Sequence, residues 1–314
     1  MMEFNLLGNT GLKVSVAGLG CGGHSRLGLP KFGVEHAAKI VRSAFESGVN
    51  FFDTSAAYGT EQTVGLGLMG IPKDSYVLSS KFPYRAVGGG IKRARDLLNT
   101  LENALKALNV ECIDIYHIHA LSDADYDDAV NEIWPALDKA RDDGKIRFLG
   151  VTERFANDTS HIMLQRALKD DIFDVVMVGY NLLNPSAAKT VLPVTKEKKV
   201  GVLAMFAVRS ALSDRDTLGV NLKRIAEKGQ GKADFVPSPE ILDFLTGEEE
   251  LETIINAAYR FCRHTDGIDV TLTGTSNLHH LADNLKSILM GRLDSDILNR
   301  LDYLFGDVDC VSCE

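Results

Sequence analysis

The sequence predicts an α/β chain closed as a (β/α)8 barrel. Three observations lead there. Eight short apolar runs, several rich in β-branched residues, alternate with longer segments whose apolar residues recur at helical spacing. Several helical segments stop at glycine, as at Gly48 and Gly144. Ionisable residues gather at the C-terminal ends of the runs, the rim on which such a barrel builds its chemistry.

The eight strand candidates are 15–20, "VNFFD" (49–53), "SYVLSSK" (75–81), "CIDIYHIH" (112–119), "IRFLGVT" (146–152), "FDVVMVG" (173–179), "VGVLAMF" (200–206) and "IDVTLTG" (268–274). Helical patterns fall at 35–48, 61–70, 91–109, 124–144, 159–170, 187–199, 248–264 and 277–291. A doubly wound dinucleotide fold would need G-x-G-x-x-G opening a helix. "GLGCGG" (18–23) fits loosely, but "HSRLGLPKFG" intervenes before the helix. The glycines read as a barrel loop that something flat or bulky approaches closely. Apolar runs around "GNTG" predict a β-hairpin over 4–14, ahead of the barrel. The charged stretch 209–246, after the seventh strand, reads as a long lid-like loop or insert. The whole chain, 1–314, reads as one TIM barrel domain, with 305–314 as a frayed tail.

Composition excludes several classes. The chain has 314 residues, 45% of them hydrophobic, and a net charge of −9. That charge argues against nucleic acid or an anionic membrane as partner. No apolar stretch is long enough for a transmembrane helix, and the first residues show no signal pattern, so a cytoplasmic protein is expected. The cysteines, Cys21, Cys112, Cys262, Cys310 and Cys313, are odd in number and read as free thiols. Cys310 and Cys313 form a C-x-x-C without a second ligand pair, so no metal site is expected. A small-molecule partner and a monomer or homo-oligomer complete the expectation.

Four residues with proton chemistry meet on the rim. Asp53 ends the second strand and Tyr58 follows it; Lys81 ends the third strand and His119 the fourth. Each alone has a plainer reading: a helix cap, a loop aromatic, a surface lysine, a core histidine. Together on neighbouring strand ends they form a machine. A phenol ordinarily titrates near 10. A neighbouring ammonium lowers that value, and a carboxylate keeps the ammonium charged. So Asp53 holds Lys81, Lys81 tunes Tyr58, Tyr58 moves a proton, and His119 orients a carbonyl oxygen. The set polarises and protonates a carbonyl but holds no hydride, so a cofactor must bring one.

At these residues the chain resembles the aldo-keto reductases over nearly its whole length. "LGNTGLKVSVAGLGCGG" resembles the family's hairpin and first strand. "GVNFFDTSAAYG" resembles its Asp–Tyr signature, "IDIYHIH" its fourth strand, "GKIRFLGVT" its fifth, and "TGTSNLHHLADNL" its adenosine-binding segment. The resemblance implies a barrel, an extended NAD(P)H across its mouth, and a catalytic tetrad of Asp53, Tyr58, Lys81 and His119. His117, on the same strand face as His119, is expected one layer deeper. Cofactor contacts are implied at Gly22, Gly23, Thr152, Glu153, Met177, Tyr180, Met205, Phe206, Arg209, Gly274, Thr275, Ser276, His280, Asp283 and Asn284. The implied function is interconversion of an aldehyde or ketone, including a sugar or lactol, with its alcohol.

Some positions depart from the family pattern. Thr152-Glu153 stands where Ser-Asn usually grips the nicotinamide carboxamide, and Glu153 can accept from that group but not donate to it. Met177 replaces a glutamine. Met205, followed by Phe206, replaces the stacking aromatic. Gly274-Thr275-Ser276 and His280 replace the lysine-serine pair and arginine that hold the 2′-phosphate of NADP. Backbone N–H groups, hydroxyls and a helix N-terminus remain for an anion. NADP(H) is the family's default and NAD(H) the alternative. Two other classes stay open: a metal-dependent hydrolase using His117, His119 and Asp53, and a cofactor-sensing regulatory subunit with little turnover.

Overall fold

Eight parallel strands close on themselves in this computed structural model, which describes residues 1–86, 88–246 and 253–314. Two antiparallel strands, β1 (Phe4–Leu6) and β2 (Lys13–Ser15), form a hairpin ahead of the barrel. The barrel comprises β3 (Ala17–Gly20), β4 (Phe51–Asp53), β5 (Val77–Pro83), β6 (Ile113–Leu121), β7 (Ile146–Glu153), β8 (Val175–Gly179), β9 (Gly201–Met205) and β10 (Val270–Thr273). β10 pairs with both β9 and β3 and closes the ring. Each of the eight predicted runs coincides with one barrel strand, its ends displaced by at most two residues.

The hairpin plugs the N-terminal end of the barrel. Leu7, Leu12 and Val14 bury against the inward residues Phe51, Val77, Ile115, Val175, Leu203 and Val270. A Cβ on Gly201 would stand 2.7 Å from Leu7 Cγ, so the glycine makes room for the plug. With that end filled, the C-terminal rim is the end of the barrel left open for a site. A larger apolar layer joins the outer faces of the strands to the helices, for example Ile40, Val41 and Ala44 of Leu29–Glu46 and Leu97, Leu101 and Leu105 of Ala94–Leu108.

The helices depart from the sequence reading in places. The pattern 124–144 splits into Tyr126–Glu132 and Trp134–Asp142, with Pro135 in the first turn of the second. Residues 248–252 of the pattern 248–264 lie outside the described residues; the helix there is Ile254–Arg263. A further helix, Ser295–Phe305, follows the last predicted one.

The segment 209–246 is not an open loop. It folds into helices Ser210–Ser213 and Arg215–Glu227 and a 3-10 stretch, Pro239–Leu245. Nor is the tail frayed. Leu218, Leu222, Ile225, Leu242 and Leu245 of the insert share a second core with Leu301, Phe305, Val308, Val311 and Cys313. Backbone bonds fasten the end: Ala211 N–H donates to Cys313 O at 3.1 Å, and Asn184 Nδ2 to Val311 O at 2.9 Å. Insert and tail bury each other's apolar faces, which neither could do alone. The cysteines are free, Cys313 fully buried. No helix among the described residues is long and apolar enough to cross a membrane.

Candidate active site

Strand register assembles the rim. In the β4–β5 pair Asp53 lies beside Ser79, and in the β5–β6 pair Lys81 lies beside His117 and Pro83 beside His119. Side chains two apart on a strand share a face, so Ser79 and Lys81 both point inward at Asp53. Lys81 Nζ donates to both Asp53 carboxylate oxygens at 2.6 Å and to Thr54 O at 2.7 Å. Lys81 is wholly buried and Asp53 nearly so. Burial opposes the lysine's charge, yet the Asp53 carboxylate and the nearby Tyr58 outweigh it, and the ammonium is held above its ordinary pKa. It stays protonated at neutral pH.

Tyr58 stands in front of this pair. Its hydroxyl lies 3.2 Å from His119 Nε2, and Ser55 Oγ lies 3.2 Å from His119 Nδ1. The two rings meet edge to face. Burial, and then the Lys81 charge, bring the His119 imidazole down to about 3. It is neutral at neutral pH, with one nitrogen donating and the other accepting. Lys81 Nζ sits 5.0 Å from the Tyr58 ring centre. The tuning expected from sequence is outweighed here: burial pushes the phenol up, Lys81 pulls it down, Asp53 pushes it up, and the net displacement is upward.

His117 lies one layer deeper, fully buried. Its Nε2 meets Ser79 Oγ at 3.0 Å, and the Ser79 hydroxyl donates to Asp53 Oδ1 at 2.7 Å. The serine's single proton is spent on the carboxylate, so His117 donates to the serine. Burial and Lys81 hold the His117 imidazole well below its ordinary value, so it is neutral. The sequence signal for Ser79 is its position two residues before Lys81 on an inward face.

Asp53 and Tyr58 open onto a cavity of about 960 Å³. Eleven of the fifteen expected cofactor contacts line it: Gly22, Gly23, Met177, Met205, Phe206, Arg209, Gly274, Thr275, His280, Asp283 and Asn284. Four do not. Glu153 turns into the wall, where its buried carboxylate accepts from His161 Nδ1 at 2.9 Å and Gly179 N–H at 2.7 Å. Thr152 Oγ1 accepts from Ala120 N–H at 2.8 Å. Tyr180 stacks on Phe261 and lines a separate, smaller cavity. Ser276 gives its carbonyl to His36 Nε2 at 2.7 Å. The expected helix N-terminus is capped: Asn277 Oδ1 accepts from His279 N–H at 2.8 Å and His280 N–H at 3.4 Å. Arg26 and Lys286 also line the cavity, without a sequence signal beyond their place in rim segments.

The sequence profile of the Aldo/keto reductase family matches residues 19–304. The chain belongs to that family. It is 34% identical over 211 residues to L-galactose dehydrogenase of Arabidopsis thaliana, a stretch covering 65% of this chain and 64% of that protein. It is 26% identical over 206 residues to D-threo-aldose 1-dehydrogenase of a Pseudomonas species, covering 57% and 61%. The chain thus spans less than two thirds of these curated relatives. An aldo-keto reductase of Bacillus halodurans, solved in its holo form, superposes with a TM-score of 0.75 at 22% identity over 98% of both chains. That likeness shows the shared barrel.

Proposed function

We propose that the protein is an NAD(P)(H)-dependent oxidoreductase that interconverts an aldehyde or ketone with its alcohol, Tyr58 giving the proton in reduction and taking it in oxidation. One observation supports this above the rest. The Tyr58 hydroxyl, 3.2 Å from a neutral imidazole, faces a large cavity with a buried ammonium behind it. A phenol that burial keeps protonated is a donor at neutral pH, and the Lys81 charge stabilises the phenolate left when the proton goes. His119, its Nε2 3.2 Å from that hydroxyl, would orient the carbonyl oxygen.

The cavity's residues fit a dinucleotide. Its volume lies at the upper end for small-molecule sites, roughly 300–1,000 Å³. Glycine keeps it open: a Cβ on Gly22 would stand 2.6 Å from the Tyr58 ring. Arg26, Arg209 and Lys286 bring positive charge for phosphates. Gly22, Gly23, Met177 and Met205 would hold the nicotinamide end, and Thr275, His280, Asp283 and Asn284 the adenosine end. The nicotinamide, when bound, supplies the hydride. The Asn277 cap spends N–H groups that a 2′-phosphate would use, which moves the balance toward NAD(H).

The names of the two sugar-dehydrogenase relatives support an aldose or its lactol as substrate. The hydrolase reading loses ground because Lys81 already neutralises the Asp53 carboxylate from 2.6 Å, where a metal would have to bind. The test is titration with NADH and NADPH, then a panel of carbonyls and sugars followed at the nicotinamide absorbance. Turnover on no member despite tight dinucleotide binding would point to the regulatory subunit instead.

A further inference from the structure

Beside the cavity five side chains form one continuous column. Glu153, buried in the wall, accepts from His161 Nδ1 at 2.9 and 3.0 Å. The His161 ring lies against Phe155, centres 5.4 Å apart and planes 12° from parallel. Phe155 lies against Phe206 at 6.2 Å and 21°. The Arg209 guanidinium sits 3.9 Å over the centre of the Phe206 ring and lines the cavity.

The chain accepts unusual backbone to build this column. His161 and Phe206 both adopt left-handed conformations, with φ of 62° and 66°. β-carbon-bearing residues enter that region only where their surroundings hold them. Gly179 has no room for a side chain, since a Cβ there would stand 2.3 Å from the Phe155 ring. Ser186 Oγ donates to Asn184 Oδ1 at 2.6 Å and lies 3.1 Å from His161 Nε2, while Nδ1 faces the carboxylate. Packing alone would be served as well by apolar side chains. A buried acid at one end and a cation on the cavity wall at the other suit a different task. A long side chain anchors an anion well only when it is fixed beforehand.

We propose that Glu153 and His161 are positioning residues that act through Phe155 and Phe206 to hold Arg209 over the cavity as the anchor for the diphosphate of a bound dinucleotide. The guanidinium is held by the Glu314 carboxylate and by Ser312 O at 3.4 Å, which marks the spot as one that takes oxygen acceptors. The proposal rests on the dinucleotide reading of the cavity.

The test is a double-mutant cycle in dinucleotide affinity. Fluorescence titration with NADH and NADPH compares wild type, Glu153→Gln, Arg209→Ala and the double variant. Each single change is expected to raise Kd roughly tenfold, equivalent to about 1.4 kcal/mol. The double variant is expected to bind no more weakly than the weaker single one, because both changes remove the same contact. Phe206→Leu cuts the column in the middle and should behave like Glu153→Gln; it stands in if the latter fails to fold. Effects that multiply in the double variant overturn the proposal, as does an unchanged Kd in Phe206→Leu. If wild type binds neither dinucleotide, the cavity's reading fails before any variant is compared, and the proposal falls with it.

Discussion

Replacing Lys81 with methionine isolates the electrostatic base of the site. Methionine matches the lysine stem closely, so the packing change is small. What goes is the ammonium and its three bonds, at 2.6, 2.6 and 2.7 Å. Asp53, 3% exposed, then keeps the Ser79 hydroxyl as its side-chain donor. Breaking a buried pair from one side costs about 3–5 kcal/mol, because the remaining charge is stranded. Lys81 has a raised folded pKa, so its contribution is fully present below the unfolded value of 10.5 and is lost as pH rises through the folded one. Urea denaturation at pH 7 therefore reads the whole effect. Adding Asp53→Asn removes the stranded charge and should restore at least about 1 kcal/mol. Turnover in the single variant should fall by roughly 10²–10⁴, as for loss of acid–base function, and the alkaline limb of the oxidation profile should move up. Stability within about 1 kcal/mol of wild type, or no recovery in the double variant, would refute the buried pair as described.

Two more outcomes follow from the geometry. Gly22→Ala should drive its new Cβ into the Tyr58 ring, 2.6 Å away, and lower kcat by roughly tenfold or more, since small misplacements at a reacting group are costly; wild-type kcat would show that the ring has no fixed place there. The His119 imidazole, held near 3 in the fold against 6.5 unfolded, refuses a proton that the unfolded chain takes. Stability should therefore fall as pH drops from 6.5 toward 3, by up to about 1.4 kcal/mol per pH unit from this group, and His119→Gln should flatten that slope. Calorimetric melts across that range, showing identical slopes for the two proteins, would contradict the assignment.

Much of this was legible in the sequence. The eight strands announce themselves because a parallel barrel strand is buried on both faces and reads as a short apolar run between glycines and charges. Asp53, Tyr58, Lys81 and His119 were legible because a barrel brings adjacent strand ends together whatever lies between them. The helix Ser295–Phe305 and the docked tail were not. Their apolar residues face an insert some fifty residues or more earlier, and nothing local marks Val308 or Cys313 as core. Glu153 misled for a related reason. Its place at the end of β7 matches a cofactor contact, but its partner His161 owes its position to a left-handed turn that side-chain pattern does not reveal. The net pKa of Tyr58 escaped as well, because sequence gives the neighbouring charge but not the depth of burial that outweighs it.

The most direct test of the account is Tyr58→Phe, measured in a single turnover with dinucleotide and a competent carbonyl. The phenyl ring keeps the cavity's shape and loses only the hydroxyl that touches His119. Dinucleotide affinity should stay within about threefold of wild type, while hydride transfer to the carbonyl falls by roughly 10²–10⁴. Transfer at the wild-type rate would contradict the role given to Tyr58 and, with it, the reading of the site.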